Sequence, residues 1–171
     1  EAMRKEADRL TLEEAPVSEL ILGTECGGSD PTSGLAANPV VGCCSDLVVR
    51  EGGTVILSET PEMIGAERIL AARCENEGVR RKLLDTIKNF EMDFLRVGEN
   101  PRSGNPTPGN IAGGITTLEE KSLGCIHKAG RSMIREVVGY GELFTQKGLV
   151  VMDTPGQDVA SIVGMAAAGA H

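Results

Sequence analysis

The chain is poor in aromatic side chains, with three Phe, one Tyr and no Trp among 171 residues. Its core must therefore be built from Leu, Ile, Val, Met and Ala. Positive charge is also scarce: 17 Lys and Arg face 25 Asp and Glu, a formal net charge of -8. That balance disfavours nucleic acid or an anionic membrane as a partner. An anionic small molecule would need a local device, such as a metal ion, a helix N-terminus or a placed cation. No apolar run approaches the ~18 residues of a membrane span, and no signal-peptide pattern opens the chain. The five cysteines are odd in number and none forms a C-x-x-C pair. This argues against a zinc knuckle or a disulfide framework and points to a reduced cytoplasm. The stretch "GLVVMDTPGQD" presents an aspartate at a strand end much as a GTPase does. However, no Gly-Lys dipeptide exists to form a phosphate loop, and no Asn-Lys-x-Asp reads a base. Nucleotide hydrolysis is not the function expected.

Glycine, by contrast, is abundant at 22 residues, and it is clustered rather than dispersed. Such clusters mark tight loops. The length suits a single domain spanning residues 1–171. The charged opening "EAMRKEADRL" and the apolar close "SIVGMAAAGAH" suggest a part of a longer catalytic region, cut at both ends. Between them, strands are expected at Ser18–Glu25 and Gly52–Glu59, in "SMIREVVG" and in "GLVVMD". Helices are expected over about 37–50, with Asn38 as a cap, from Pro61 to Cys74, over 76–97 and over 115–128. The 76–97 segment carries Val79, Leu83, Leu84, Ile87, Phe90, Phe94 and Leu95 at three- and four-residue steps. The alternation predicts an α/β layered fold with a mainly parallel sheet flanked by helices.

In such sheets ligands bind beyond the carboxyl ends of the strands. Three polar loops leave strands here: "ECGGSD", "SETPE" and "DTPGQD". Parallel strands would gather Cys26, Ser29, Asp30, Glu59, Glu62 and Asp153 at one rim. Each residue also has a plainer reading. Cys26 serves equally as a small buried hydrophobe. Glu62 suits a helix start, whereas Glu59 follows apolar strand residues and is drawn inward. Asn105 and Asn110, in the long loop "GENPRSGNPTPGNIAGG", suit a polyol or carboxylate but also ordinary turns. His127 is the one internal histidine, and Lys121 stands six residues before it, so the two need not share a face. Cys43 and Cys44 are expected in the core.

Four motifs in order, "GTECGGSD…SGLAANPVVG", "GGTVILSETPE", "NPTPGNIAGGITTLEEKSLG" and "KGLVVMDTPG", resemble the catalytic part of the altronate/galactarate dehydratase family. The likeness runs from about Ser18 to the end of the chain. It implies removal of water from a sugar acid to give a 2-keto-3-deoxy acid, with a divalent metal, Fe(II) in most members. It also implies a small anionic sugar-acid substrate and a further gating domain or subunit. On this resemblance Cys26 and Asp30 are the metal candidates. Glu59, Lys121 and His127 are the acid–base candidates, with His127 outside the matching motifs. Ser29, Asn105, Asn110 and Asp153 are the substrate contacts. A related sulfolactate sulfo-lyase expels sulfite by the same logic, so the motifs do not separate the two leaving groups. A non-catalytic binding module on the same fold is the alternative of another class. An apolar last helix also suggests self-association into a homodimer.

Overall fold

The computed structural model describes residues 1–171 and is an α/β layered structure. Its strands are β1 (Ile21–Thr24), β2 (Thr54–Leu57), β3 (Ile134–Val138) and β4 (Leu149–Met152). Its helices are α1 (Ala2–Ala7), α2 (Asn38–Arg50), α3 (Glu67–Ala71), α4 (Glu77–Arg96), α5 (Pro101–Gly104), α6 (Pro108–Ala112), α7 (Leu118–Cys125) and α8 (Asp158–Ala167). The strands form one sheet in the order β1-β2-β4-β3, and every pairing is parallel. No helix is long and apolar enough to cross a membrane.

The two inner strands, "TVIL" and "LVVM", are buried at all four positions. They do not alternate in polarity because helices cover both faces of the sheet. Alternate residues nevertheless serve different layers. Val55, Leu57, Leu149 and Val151 pack with Leu70 of α3, Leu83 and Ile87 of α4, and Leu118 of α7. Ile56, Val150 and Met152 pack against Met165 of α8. Gly23 in β1 leaves room for this methionine, since a Cβ there would lie 2.9 Å from Met165 Sδ.

Helix α4 forms where its periodicity predicts. Asn76 caps it by accepting the Val79 N–H at 3.0 Å, and Gly98 at φ 81° ends it. Fully burying Leu83 and Ile87 contributes about 1.5–3 kcal/mol each, so Leu83→Ala should loosen α4 from this layer.

Four local expectations need correction. Asn38 is not a cap; it lies within the helix and donates from Nδ2 to Gly124 O at 3.0 Å. Cys43 and Cys44 are exposed rather than in the core, because α2 turns Gly42 and Ser45 inward instead. The helix expected from Pro61 is a 3₁₀ turn at Thr60–Met63, separated from α3 by Gly65 at φ 86°. The long loop 98–114 contains α5 and α6, each opened by a proline and capped by Asn100 or Thr107.

Candidate active site

All four strands run the same way, so the loops after β1, β2 and β4 leave from one edge. The loop after β2 is shaped by a backbone rarity. Glu59 adopts φ 70°, the left-handed region, and is the one non-glycine residue in the chain to do so. Such a conformation costs about 1–3 kcal/mol and persists where its surroundings enforce it. The enforcement comes from the loop after β4. The Glu59 N–H donates to Thr154 Oγ1 at 2.6 Å. Thr60 N–H donates to Thr154 O at 3.2 Å, Thr154 N–H donates to Thr60 Oγ1 at 3.0 Å, and Thr60 Oγ1 donates to Asp153 Oδ1 at 2.7 Å. Asp153 is thus occupied as a latch between two loops.

The latch turns the Glu59 carboxylate inward, where it is fully buried. Cys26 Sγ and carboxylate oxygens of Glu59 and Glu62 all lie within 4.8 Å of one another. Two lysines neutralise the acids. Lys128 Nζ donates to Glu59 Oε2, and Lys121 Nζ pairs with Glu62 Oε1 at 2.5 Å and with Asn105 Oδ1 at 2.9 Å. Both lysines are buried. The Cys125 thiol donates to Glu59 Oε2 at 3.6 Å. Lys121, Cys125 and Lys128 come from one surface of α7 and the 3₁₀ turn Ile126–Ala129 that continues it. That turn is held close to α2. Ser45 Oγ donates to Lys128 O at 2.7 Å, and a Cβ on Gly42 would stand 2.1 Å from His127 O. Glycine is therefore required at position 42 for the lysine to reach its acid.

Glu25 adjoins the cluster. Its Oε2 accepts from Ser58 Oγ at 2.5 Å. Burial, then the neighbouring Glu59 charge, raise its pKa to about 7 against the opposing pull of Ser58, Lys128 and Ser161. Burial first, then Glu59 and Glu62, push the Cys26 thiol up to about 12. Burial likewise pushes the Cys125 thiol well up. Lys128 is held above its ordinary range: burial lowers it, but Cys125, Glu59 and Cys26 together outweigh that. It is therefore an ammonium in the folded protein.

One oxygen each of Glu25, Glu59 and Glu62 is buried without a partner. Buried carboxylate oxygens ordinarily have one. Glu59 and Glu62 are each paired with an ammonium group, and Glu25, its pKa raised to about 7, adds a third acid beside them. A thiol beside carboxylates with free lone pairs is a donor set suited to a divalent transition metal. The positive charge of such an ion would also reverse the cause of the raised Cys26 pKa. The residues present therefore fit the metal implied by the resemblance, with Cys26, Glu59 and Glu62 as the donors.

The other sequence candidates are distributed differently. Asp30 is exposed and stays local: its Oδ1 accepts from Thr32 Oγ1 at 2.6 Å and from Ser33 N–H at 3.1 Å. That hydrogen bonding lowers its pKa, and Asp30 is outside the Cys26–Glu59–Glu62 group. Asn110 completes a capping box with Thr107 and donates from Nδ2 to Ser29 O at 2.9 Å. The plain turn reading of Asn110 is the observed one. Asn105 meets Lys121, as above. His127 is the exposed residue of an otherwise buried turn, and together with Ser29, Asp30, Asn38 and Lys121 it lines a cavity of about 270 Å³. A second cavity, about 560 Å³, lies on the other side of Lys121, where Glu62, Asn105, Thr107 and Pro155 form part of its wall. Lys121 thus separates two cavities and backs onto the cluster through Glu62.

Sequence reasoning missed Lys128, Cys125 and Glu25 and underrated Glu62. A signal for the first two was present: positions 121, 125 and 128 stand at i, i+4 and i+7, one stripe of a helix. Comparing Lys121 with His127 instead hid that stripe.

These features define a parallel α/β domain with a buried acid–thiol–lysine centre at its strand ends. The model of the family "D-galactarate/Altronate dehydratase, C-terminal" matches residues 17–171. The chain belongs to this family, as the four motifs imply. It is 48% identical over 157 residues to altronate dehydratase of Bacillus subtilis (strain 168), covering 92% of this chain and 31% of that protein. It is 45% identical over 146 residues to galactarate dehydratase (L-threo-forming) of Escherichia coli (strain K12), covering 85% and 28%. It is 39% identical over 165 residues to the (2R)-sulfolactate sulfo-lyase subunit beta of Chromohalobacter salexigens, covering 95% and 42%. The chain therefore spans less than half the length of each of these relatives.

Proposed function

We propose that this chain forms the catalytic part of a metal-dependent dehydratase that eliminates water from an altronate- or galactarate-type acid to give a 2-keto-3-deoxy acid. The observation that supports this best is the buried Cys26–Glu59–Glu62 group with unpartnered carboxylate oxygens, inside the region that matches the family. Burying charge opposes folding unless it is paired and bonded. A non-catalytic module on this fold would have no use for such a centre.

In the reaction the C2–H bond breaks, its electrons form the C2=C3 double bond, and the C3 hydroxyl leaves as water. The enol that remains tautomerises to the 2-keto acid. A divalent cation, Fe(II) on the family resemblance, supplies Lewis acidity to the substrate carboxylate and hydroxyl when bound. Cys26, Glu59 and Glu62 would hold it. Lys128 and Cys125 keep the Glu59 carboxylate in its buried orientation. Lys121 and Asn105 supply donors to the negative charge that grows on the substrate carboxylate. A gating element from the remainder of the longer protein would exclude water from this open side. Five free cysteines suit a reducing, cytoplasmic setting.

The relative named as a sulfo-lyase subunit supports a second reading, in which sulfite leaves C3 in place of hydroxide. The deciding experiment is turnover by the full-length protein on altronate, galactarate and sulfolactate, before and after chelation. Formation of a 2-keto-3-deoxy acid that stops with a chelator and resumes with Fe(II) is expected. Sulfite release alone would favour the second reading, and undiminished turnover after exhaustive chelation would remove the metal.

A further inference from the structure

The larger of the two cavities beside Lys121 carries information about substrate class. Its ionisable lining consists of Lys121, Glu62 and Glu99. Lys121 is the one cation among them, and its donors can be counted. An ammonium has three N–H donors. One goes to Glu62 Oε1 and one to Asn105 Oδ1, which leaves one for a ligand. Asn105 commits its carbonyl oxygen to Lys121, and its NH₂ group donates to nothing within the chain. The cavity lining thus holds one ammonium donor and one amide donor without partners in the chain, a set that suits a single carboxylate. Glu62, which pairs with Lys121, also belongs to the Cys26–Glu59–Glu62 group.

The rest of the lining differs in character. It comprises Phe90 and Phe94 of α4, the exposed Ser103, the backbone around Pro155 and Gly156, and the carboxylate Glu99. No second cation lines it. A hydroxymethyl terminus can lie against this surface and hydrogen-bond to it. A second carboxylate would meet a like charge and lose water without gaining a partner.

We propose that this cavity selects a sugar acid with one carboxylate, an aldonic acid, over the aldaric acid of the same chain length. The inference rests on the dehydratase reading above and narrows its substrate class. Glu99 adds to the discrimination by repelling the second carboxylate, and the lack of a second cation in the lining supplies the rest.

The test is kcat/KM of the full-length protein on an aldonate and an aldarate of equal carbon number, for the parent, Glu99→Gln and Glu99→Lys. Glu99 is exposed, so both variants should fold. The expected result is a preference for the aldonate of about tenfold or more, since like charges brought together suppress the wrong ligand. Glu99→Gln should narrow the ratio by a few-fold, as expected for an exposed charge. Glu99→Lys should narrow it further, through faster turnover of the aldarate. An aldarate processed as well as the aldonate by the parent, or a ratio unmoved by both substitutions, overturns the inference and leaves the dehydratase reading intact. Turnover of neither acid overturns the dehydratase reading itself, and the inference falls with it.

Discussion

Thr154 Oγ1 accepts the backbone N–H of Glu59 at 2.6 Å, and this bond is the one made directly to the left-handed glutamate by the latch at the end of a buried strand. The contact joins the loops after β2 and β4, which are 95 residues apart in sequence. It couples the strain in the backbone to the position of the carboxylate. Thr154→Val should leave a buried N–H without an acceptor, at a cost of about 1–3 kcal/mol. Thr154→Ser should retain most of the stability. Denaturant midpoints for the two variants decide the matter: equal values would mean the hydroxyl does not hold Glu59.

The Lys128–Glu59 pair is more sensitive. Both side chains are buried, at 2% and 0% exposure, and neither charge has water to fall back on. Lys128→Met should destabilise the fold by about 3–5 kcal/mol, because it leaves a buried carboxylate unpaired. Combining it with Glu59→Gln should recover much of that loss. A double-mutant cycle measured by chemical denaturation reads the coupling directly. If the two single effects simply add, the pair is not the unit described here.

Cation binding provides a test independent of turnover. Titration with Co(II) should produce a sulfur-to-metal absorption band in the parent that is lost in Cys26→Ser. Glu59→Gln and Glu62→Gln should each weaken binding by roughly tenfold or more, the scale on which supporting groups alone act. Asp30→Asn should leave affinity unchanged, since Asp30 is tied to Thr32 and Ser33. A loss in Asp30→Asn equal to that in Cys26→Ser would restore the ligand set expected from sequence.

Glu25 gives a pH dependence of defined sign. Its folded pKa, about 7, lies above its ordinary 4.5, so the folded state holds the proton more tightly than the unfolded state does. The resulting stabilisation is complete below pH 4.5 and is lost as pH rises through about 7. In the metal-free chain, Glu25→Gln should therefore flatten the fall in stability across that window. Midpoints that decline equally in parent and variant would assign the dependence to another group.

The exposed face of α8 should support self-association. Val159, Ile162 and Val163 are 72%, 53% and 56% exposed, an apolar row unusual for a solvated helix. A homodimer is expected by sedimentation, and Val163→Glu should shift it to monomer. A parent that is monomeric at millimolar concentration would show that this face is simply solvated.

Much of the architecture was legible because it depends on local pattern. The apolar runs "TVIL" and "LVVM" have no polar face, which is how a strand covered on both sides must read. The 3.6-residue periodicity of 76–97 and the cap at Asn76 likewise define α4 without reference to anything distant. Drawing Glu59 inward also followed from its place after an apolar strand.

The centre itself was decided by tertiary structure, because its contacts join residues far apart in sequence. Glu59 meets Lys128 across 69 residues and Thr154 across 95. The stripe 121, 125 and 128 is a local signal that these side chains share a face, but nothing local says which acids that face will meet. Lys128 becomes the partner because Gly42 lets α2 approach the turn that carries it. Asp30 illustrates the converse, since its side chain is met by Thr32 and Ser33 close by. Asn110 does both: it closes a local capping box with Thr107 and reaches Ser29 O across 81 residues. The sequence determined which chemistries were on hand at the strand ends; the closing of loops over one another determined which were left with free oxygens and buried charge.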